Sequence, residues 1–209
     1  MNKQKISEES VQEIIGCLKN NGIAIFPTDT VYGIGAVYNN PKGIDRIYDV
    51  KQRDRSKPII ALISNISHLD KLISFEEEDQ GNILEIMKKY WPGELTIVFE
   101  NSKYNVAEDN TIGIRIPGNE ILLRIIESCG GIVFTTSANI SGEKSPVKTE
   151  DISYDILEKT DFILDGGTIL NGVPSTVIKY SAGEISVLRE GNIKTEEILK
   201  LFMRRAEKK

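Results

Sequence analysis

YDVKQRDRSKPIIALI, residues 48–63, places Lys51, Arg53, Arg55 and Lys57 at alternate positions, with Asp54 the only acid after Lys51. The cations stop at Pro58, and the apolar run 59–63 has the length and composition of a buried strand. Helical spacing of Ile44, Ile47 and Tyr48 predicts a helix over 42–50 that delivers the basic loop to the sheet edge. In a chain of formal net charge -5, this cluster of cations is a local choice. Arg supplies a planar fork of donors and Lys a point charge, a pairing suited to polyphosphate; a solvated charged loop is the commoner reading of such a cluster.

The bulk figures narrow the class. The 209 residues are 40% hydrophobic and 27% charged, as expected of one globular domain over 1–209. No apolar run approaches the ~20 residues of a membrane helix, and the polar N-terminus is unlike a secretory signal. With Cys17 and Cys129 isolated and read as reduced thiols, a cytoplasmic location is expected. His68 is the single histidine, so a His-rich metal site is excluded. A pI near 5.2 opposes a nucleic-acid clamp over the whole surface, though not a local basic groove.

Apolar spacing predicts a helix through Val11, Ile14, Ile15 and Leu18, capped by Ser10 with Glu13. Residues 23–26 read as a strand, followed by a loop TDTVYGIGA, 28–36, rich in hydroxyls and glycine. A helix through 66–73 and another entered by the acids 76–79 precede a strand at 95–99. In the strand IGIRIP, 112–117, Arg115 must reach a cavity or find a carboxylate. A helix through 121–126 ends at Gly130-Gly131, and strand 132–135 enters a second polar loop, 136–146. A helix at 151–157, a strand at 162–164 and a third polar loop, 165–176, lead to a hairpin of 177–180 with 185–188. A helix from Thr195 closes the chain. The loops offer hydroxyls, amides and cations but no activated nucleophile, an inventory for binding a phosphorylated or nucleotide ligand.

FPTDTVYGIGA (26–36), KQRDRSKP (51–58), YWPGELTIVF (90–99), IGIRIP (112–117), SANISG (137–142) and GVPSTVI (172–178), followed by Arg189-Glu190-Gly191, together resemble the YrdC-like threonylcarbamoyl-AMP synthases. The resemblance implies one α/β domain with a twisted mixed sheet, flanking helices and an open concave cavity. It implies synthesis of threonylcarbamoyl-adenylate from L-threonine, bicarbonate and ATP, and a separate transfer complex that passes the group to tRNA. Carried over by position, it places threonine on Thr30, Leu62, Arg115, Thr135 and Ser175. ATP falls to Arg53, Lys57, Thr111, Ser137, Asn139, Ser145 and Arg189, and Lys51 joins Arg53 and Lys57 as catalytic cations. Magnesium is expected on the nucleotide phosphates, with no protein metal ligands. The chain departs from the family's pattern at Leu62, often His, and at Glu94, often Pro and read here as peripheral. Longer members carry a C-terminal domain, which this chain is expected to lack. An RNA-binding module using the same cavity is the alternative. A hydrogenase-maturation type of domain ranks below it, because two separated cysteines cannot build that system's zinc modules.

Overall fold

Ten strands are hydrogen-bonded into one twisted mixed sheet in the computed structural model, which describes residues 2–74, 80–100, 102–104 and 110–206. In chain order they are β1 (Lys3–Lys5), β2 (Ala24–Pro27), β3 (Tyr32–Val37), β4 (Ile60–Ile63), β5 (Leu95–Phe99), β6 (Ile112–Arg115), β7 (Ile132–Ser137), β8 (Phe162–Asp165), β9 (Thr176–Ser181) and β10 (Glu184–Arg189). Across the sheet they run β1-β8-β2-β3-β7-β4-β6-β5-β9-β10. The β1–β8, β2–β8, β4–β6 and β5–β9 pairs are parallel and the others antiparallel. The helices are α1 (Glu8–Lys19), α2 (Pro41–Val50), α3 (Leu69–Leu72), α4 (Gln80–Tyr90), α5 (Glu120–Ser128), α6 (Tyr154–Glu158) and α7 (Thr195–Ala206).

Period-two alternation assigns the two faces of this sheet. Ile59, Ala61, Ile63, Leu95, Ile97, Ile112, Ile114 and Ile178 point to one side, in a cluster with Ile83, Ile86 and Met87 of α4 and Ile198 of α7. On the same side Tyr32, Ile34 and Ala36 pack with Ile47 and Val50 of α2 and Ile156 of α6. The opposite face is covered only over part of its width. There Phe26, Val37, Leu62, Val133 and Phe162 meet α1 and α5 through Ile14, Leu18, Leu122 and Ile126.

Several expectations are corrected. Residues 32–36, read as part of a polar loop, belong with Val37 to β3, in the middle of the sheet. The reason is close packing. A Cβ at Gly35 would lie 2.8 Å from the Phe134 carbonyl oxygen and 2.9 Å from the Phe26 ring, so glycine is what lets the strands and side chains approach. The cap of α1 is Ser7 with Ser10, not Ser10 with Glu13, because the helix starts earlier. Strand β1 is made of polar residues that carry no strand signal. The segment 66–73 divides into a 3-10 turn, Ile66–His68, and α3; 149–158 divides likewise, with Ile152 extended between a 3-10 turn and α6. The acidic entry at 76–79 lies outside the described residues.

Candidate functional site

The uncovered part of the second face is a cavity of about 470 Å³. Its floor follows from the alternation that buries the isoleucines on the other side. Gly33 of β3, Leu62 of β4, Thr96 and Val98 of β5, Gly113 and Arg115 of β6, and Thr135 of β7 all line it. Glycine keeps the floor low: a Cβ at Gly113 would fall 2.9 Å from Ile60 Cγ2. Three loops at strand ends supply the walls, through Thr28 and Thr30, through Ser137 and Ser145, and through Pro174 and Ser175.

Arg115 is 4% exposed and has found the partners its strand position demands. Its Nη2 donates to Asp29 Oδ1 at 2.5 Å, Nη1 to Thr30 Oγ1 at 3.0 Å and Nε to the Gly93 carbonyl at 2.8 Å. A guanidinium carries five N–H donors, so these bonds leave two for a ligand in the cavity it lines. Thr96 and Ser175 share a hydrogen bond at 2.8 Å in the same lining, and Thr135 Oγ1 donates to the Ile34 carbonyl at 2.9 Å.

Three further cations line the same cavity: Arg53, Lys57 and Arg189. Arg53 donates to the carbonyls of Lys57 and Pro58 at 2.9 and 2.8 Å, which fixes the turn it stands on. Arg189 donates twice to the Ser175 carbonyl, at 3.1 and 2.9 Å. Among the described residues, ion pairs form at Arg46, Arg55 and Arg115, but none to Arg53, Lys57 or Arg189. Burial lowers the pKa of Arg53, and burial with the nearby charge of Arg115 lowers that of Arg189. Partly desolvated cations without counter-ions gain most from an anionic ligand.

The structure does not bring every expected residue to this cavity. Gln52 adopts a left-handed φ of 49, which breaks the alternation of the basic stretch. Arg55 turns back to Asp45 at 2.5 Å and stacks over Tyr48. Lys51 is 1% exposed, and its ammonium donates to the carbonyl oxygens of Ser137 and Asn139, beneath the loop after β7. Burial, then the Arg53 charge, pushes its pKa down to about 7, while the two carbonyl acceptors favour the charged form. Asn139 also serves the loop, donating to the carbonyls of Ile140 and Glu143 at 2.8 Å each. Thr111 is buried ahead of β6, outside the lining. Lys51→Met is expected to strand two carbonyls at a cost of about 1–3 kcal/mol. Thermal denaturation should show a melting temperature lower by several degrees, and an unchanged value would make the contact dispensable.

Sequence reasoning missed Thr96, Gly113 and Asp29 as parts of the site. The first two share the Arg115 face by simple alternation, which is a usable signal. Asp29 is paired with Arg115 across 86 residues, and nothing local announces that. Among the described residues, no group of three or more His, Cys, Asp or Glu side chains could hold a metal ion.

Comparison with known proteins agrees with this architecture. The profile of the Sua5/YciO/YrdC family, described as telomere recombination, matches residues 16–191. A threonylcarbamoyl-AMP synthase of Pyrococcus abyssi is 32% identical over 204 residues, which are 96% of this chain and 59% of that protein. The crystal structure of P. abyssi Sua5 complexed with L-threonine superposes with a TM-score of 0.84 at 32% identity, covering 96% of this chain and 59% of the other. The solution structure of MTH1692 from Methanobacterium thermoautotrophicum is 31% identical with a TM-score of 0.69, and there the match covers 93% of this chain and 92% of the other. This chain therefore spans about three-fifths of the P. abyssi protein and nearly all of the shorter one. On the family match, the shared fold and the extent of these alignments, the chain belongs to the Sua5/YciO/YrdC family.

Proposed function

We propose that this protein is a threonylcarbamoyl-AMP synthase, joining L-threonine, bicarbonate and ATP into L-threonylcarbamoyladenylate and releasing pyrophosphate. The observation that carries the reading is one cavity holding three cations without counter-ions next to an arginine with donors to spare. The names of the relatives, and the L-threonine complexed with P. abyssi Sua5, support the choice of substrates.

Arg115 would hold the threonine carboxylate with its free N–H donors, inside a pocket bounded by Thr30, Leu62, Thr135 and Ser175. The threonine carbamate then attacks the α-phosphate, and charge accumulates on the phosphoryl oxygens and on the departing pyrophosphate. Arg53, Lys57 and Arg189 would lower the barrier by stabilising that charge, with Ser137 and Ser145 as neutral donors. Holding two small substrates against a nucleotide supplies further acceleration, and no protein nucleophile is needed. Among the described residues the cavity lining contains no carboxylate, so magnesium accompanying ATP would be held by the phosphates and water. The product would pass to a separate complex that modifies tRNA. On this reading residues 1–209 act as one catalytic domain in the cytoplasm. Among the described residues no helix is long and apolar enough to cross a membrane. A pocket of this size suits a nucleotide with an amino acid better than a duplex backbone, which disfavours the RNA-binding alternative.

Pyrophosphate release from ATP is expected to require threonine and bicarbonate together. Equal release with either one omitted would remove the synthase reading.

A further inference from the structure

Glu94, peripheral by its place in the sequence, sits where two cavity-forming segments meet. It stands between Gly93 and β5, and its backbone carbonyl accepts from Thr176 N at 3.0 Å. Its carboxylate accepts from two amide side chains. Asn171 Nδ2 donates to Oε1, and Asn192 Nδ2 donates to Oε2 at 2.9 Å. Asn192 Nδ2 also donates to Asn171 Oδ1 at 2.5 Å, closing a triangle. Asn171 precedes Ser175 in the loop after β8, and Asn192 follows Arg189 in the turn after β10.

These two segments are in direct contact beside the cavity. A Cβ at Gly191 would lie 2.4 Å from the Pro174 carbonyl oxygen and 2.8 Å from the Ser175 carbonyl carbon. Arg189 in turn depends on the Ser175 carbonyl for two of its hydrogen bonds. The loop that carries Ser175 has little regular structure to place it. It holds left-handed glycines at Gly167 and Gly172, and Leu170 at its crest is 97% exposed. Glycine-rich backbone has many accessible conformations, so a tether at the loop's far end reduces its freedom directly.

We propose that Glu94 is a positioning residue: by holding Asn171 on one carboxylate oxygen and Asn192 on the other, it fixes Ser175 against Arg189. Those are the amino-acid and phosphate ends of the cavity, an assignment that rests on the function proposed above. Glu94 itself does not line the cavity and acts through the two asparagines. The carboxylate is well chosen, because each amide donor meets its own oxygen and a glutamine would put an NH₂ in place of one of them.

The test exchanges donor and acceptor. Glu94→Gln sets an NH₂ against an NH₂ at one corner of the triangle. Asn171→Asp alone sets two carboxylates together. Combined, the two changes restore every bond with only the 94–171 bond reversed: the glutamine NH₂ donates to the aspartate, its oxygen accepts from Asn192, and Asn192 still donates to position 171. Each single variant is expected to speed amide hydrogen exchange across 171–176 and 189–193 and to raise KM for threonine and ATP about fivefold. Melting temperature should stay near wild type because the triangle lies at the surface. The double variant should recover slow exchange and KM within about twofold of wild type. Unchanged exchange and KM in Glu94→Gln, or a double variant no better than the sum of the singles, would overturn the proposal. Altered exchange with unchanged KM would overturn the positioning role. If the chain makes no pyrophosphate from threonine, bicarbonate and ATP, the proposed function fails. Exchange and calorimetric ATP binding then still decide whether the triangle holds the two segments.

Discussion

Arg115→Lys is expected to raise the threonine requirement at least tenfold while leaving ATP affinity within about twofold, since a charge-assisted hydrogen bond contributes about 1.5–3 kcal/mol. The structure sharpens the reason. Lysine can keep one contact with Asp29, but it cannot also serve Thr30 and Gly93 and still offer two parallel donors to a carboxylate. Arg115 is buried and paired, so the substitution is also expected to lower the melting temperature. Calorimetric titration of threonine in the presence of ATP, alongside thermal denaturation, separates the two effects. A destabilised variant that binds threonine as well as wild type would make Arg115 a purely structural residue.

Lys57→Ala is expected to weaken ATP binding by about tenfold with no change in melting temperature, because it removes one charge-assisted contact to phosphate. Lys57 is exposed, lines the cavity and has no ion pair among the described residues, so its removal leaves nothing buried unsatisfied. Arg53→Ala should show a similar loss in affinity together with a looser turn, since Arg53 also bonds the carbonyls of Lys57 and Pro58. Titrations at several ionic strengths should show a shallower salt dependence for Lys57→Ala than for wild type. Wild-type affinity in both variants would return the basic turn to ordinary solvated surface.

Much of the fold could be read from local pattern, because burial on one sheet face forces alternation. IGIRIP shows this well: its isoleucines went to the core and Arg115 to the cavity. TDTVYGIGA was harder, since glycine at every second position resembles a turn until the approach of Phe134 is known. The four cations of the basic stretch were legible as residues but not as directions. A single left-handed residue, Gln52, sends Lys51 under a loop and Arg55 back to α2. Least legible were contacts between residues far apart in sequence. Asp29 with Arg115 and Glu94 with Asn192 depend on the strand order, which no local spacing encodes.

That strand order also bears on how the protein is made. Strand β3 lies between β2 and β7, β8 joins β2 on its other side, and β9 lies between β5 and the edge strand β10. A chain emerging from the ribosome thus has β3 with an open edge until residues 132–137 have appeared. Ser175 and Arg189 arrive later still. Unpaired edges of this kind invite wrong pairing, and long-range pairing is slow to form. The nascent chain completes the cavity lining only when Pro174, Ser175, Val177, Leu188 and Arg189 join the residues up to Ser145. Its risk of misassembly is concentrated in the interval before its last third is released.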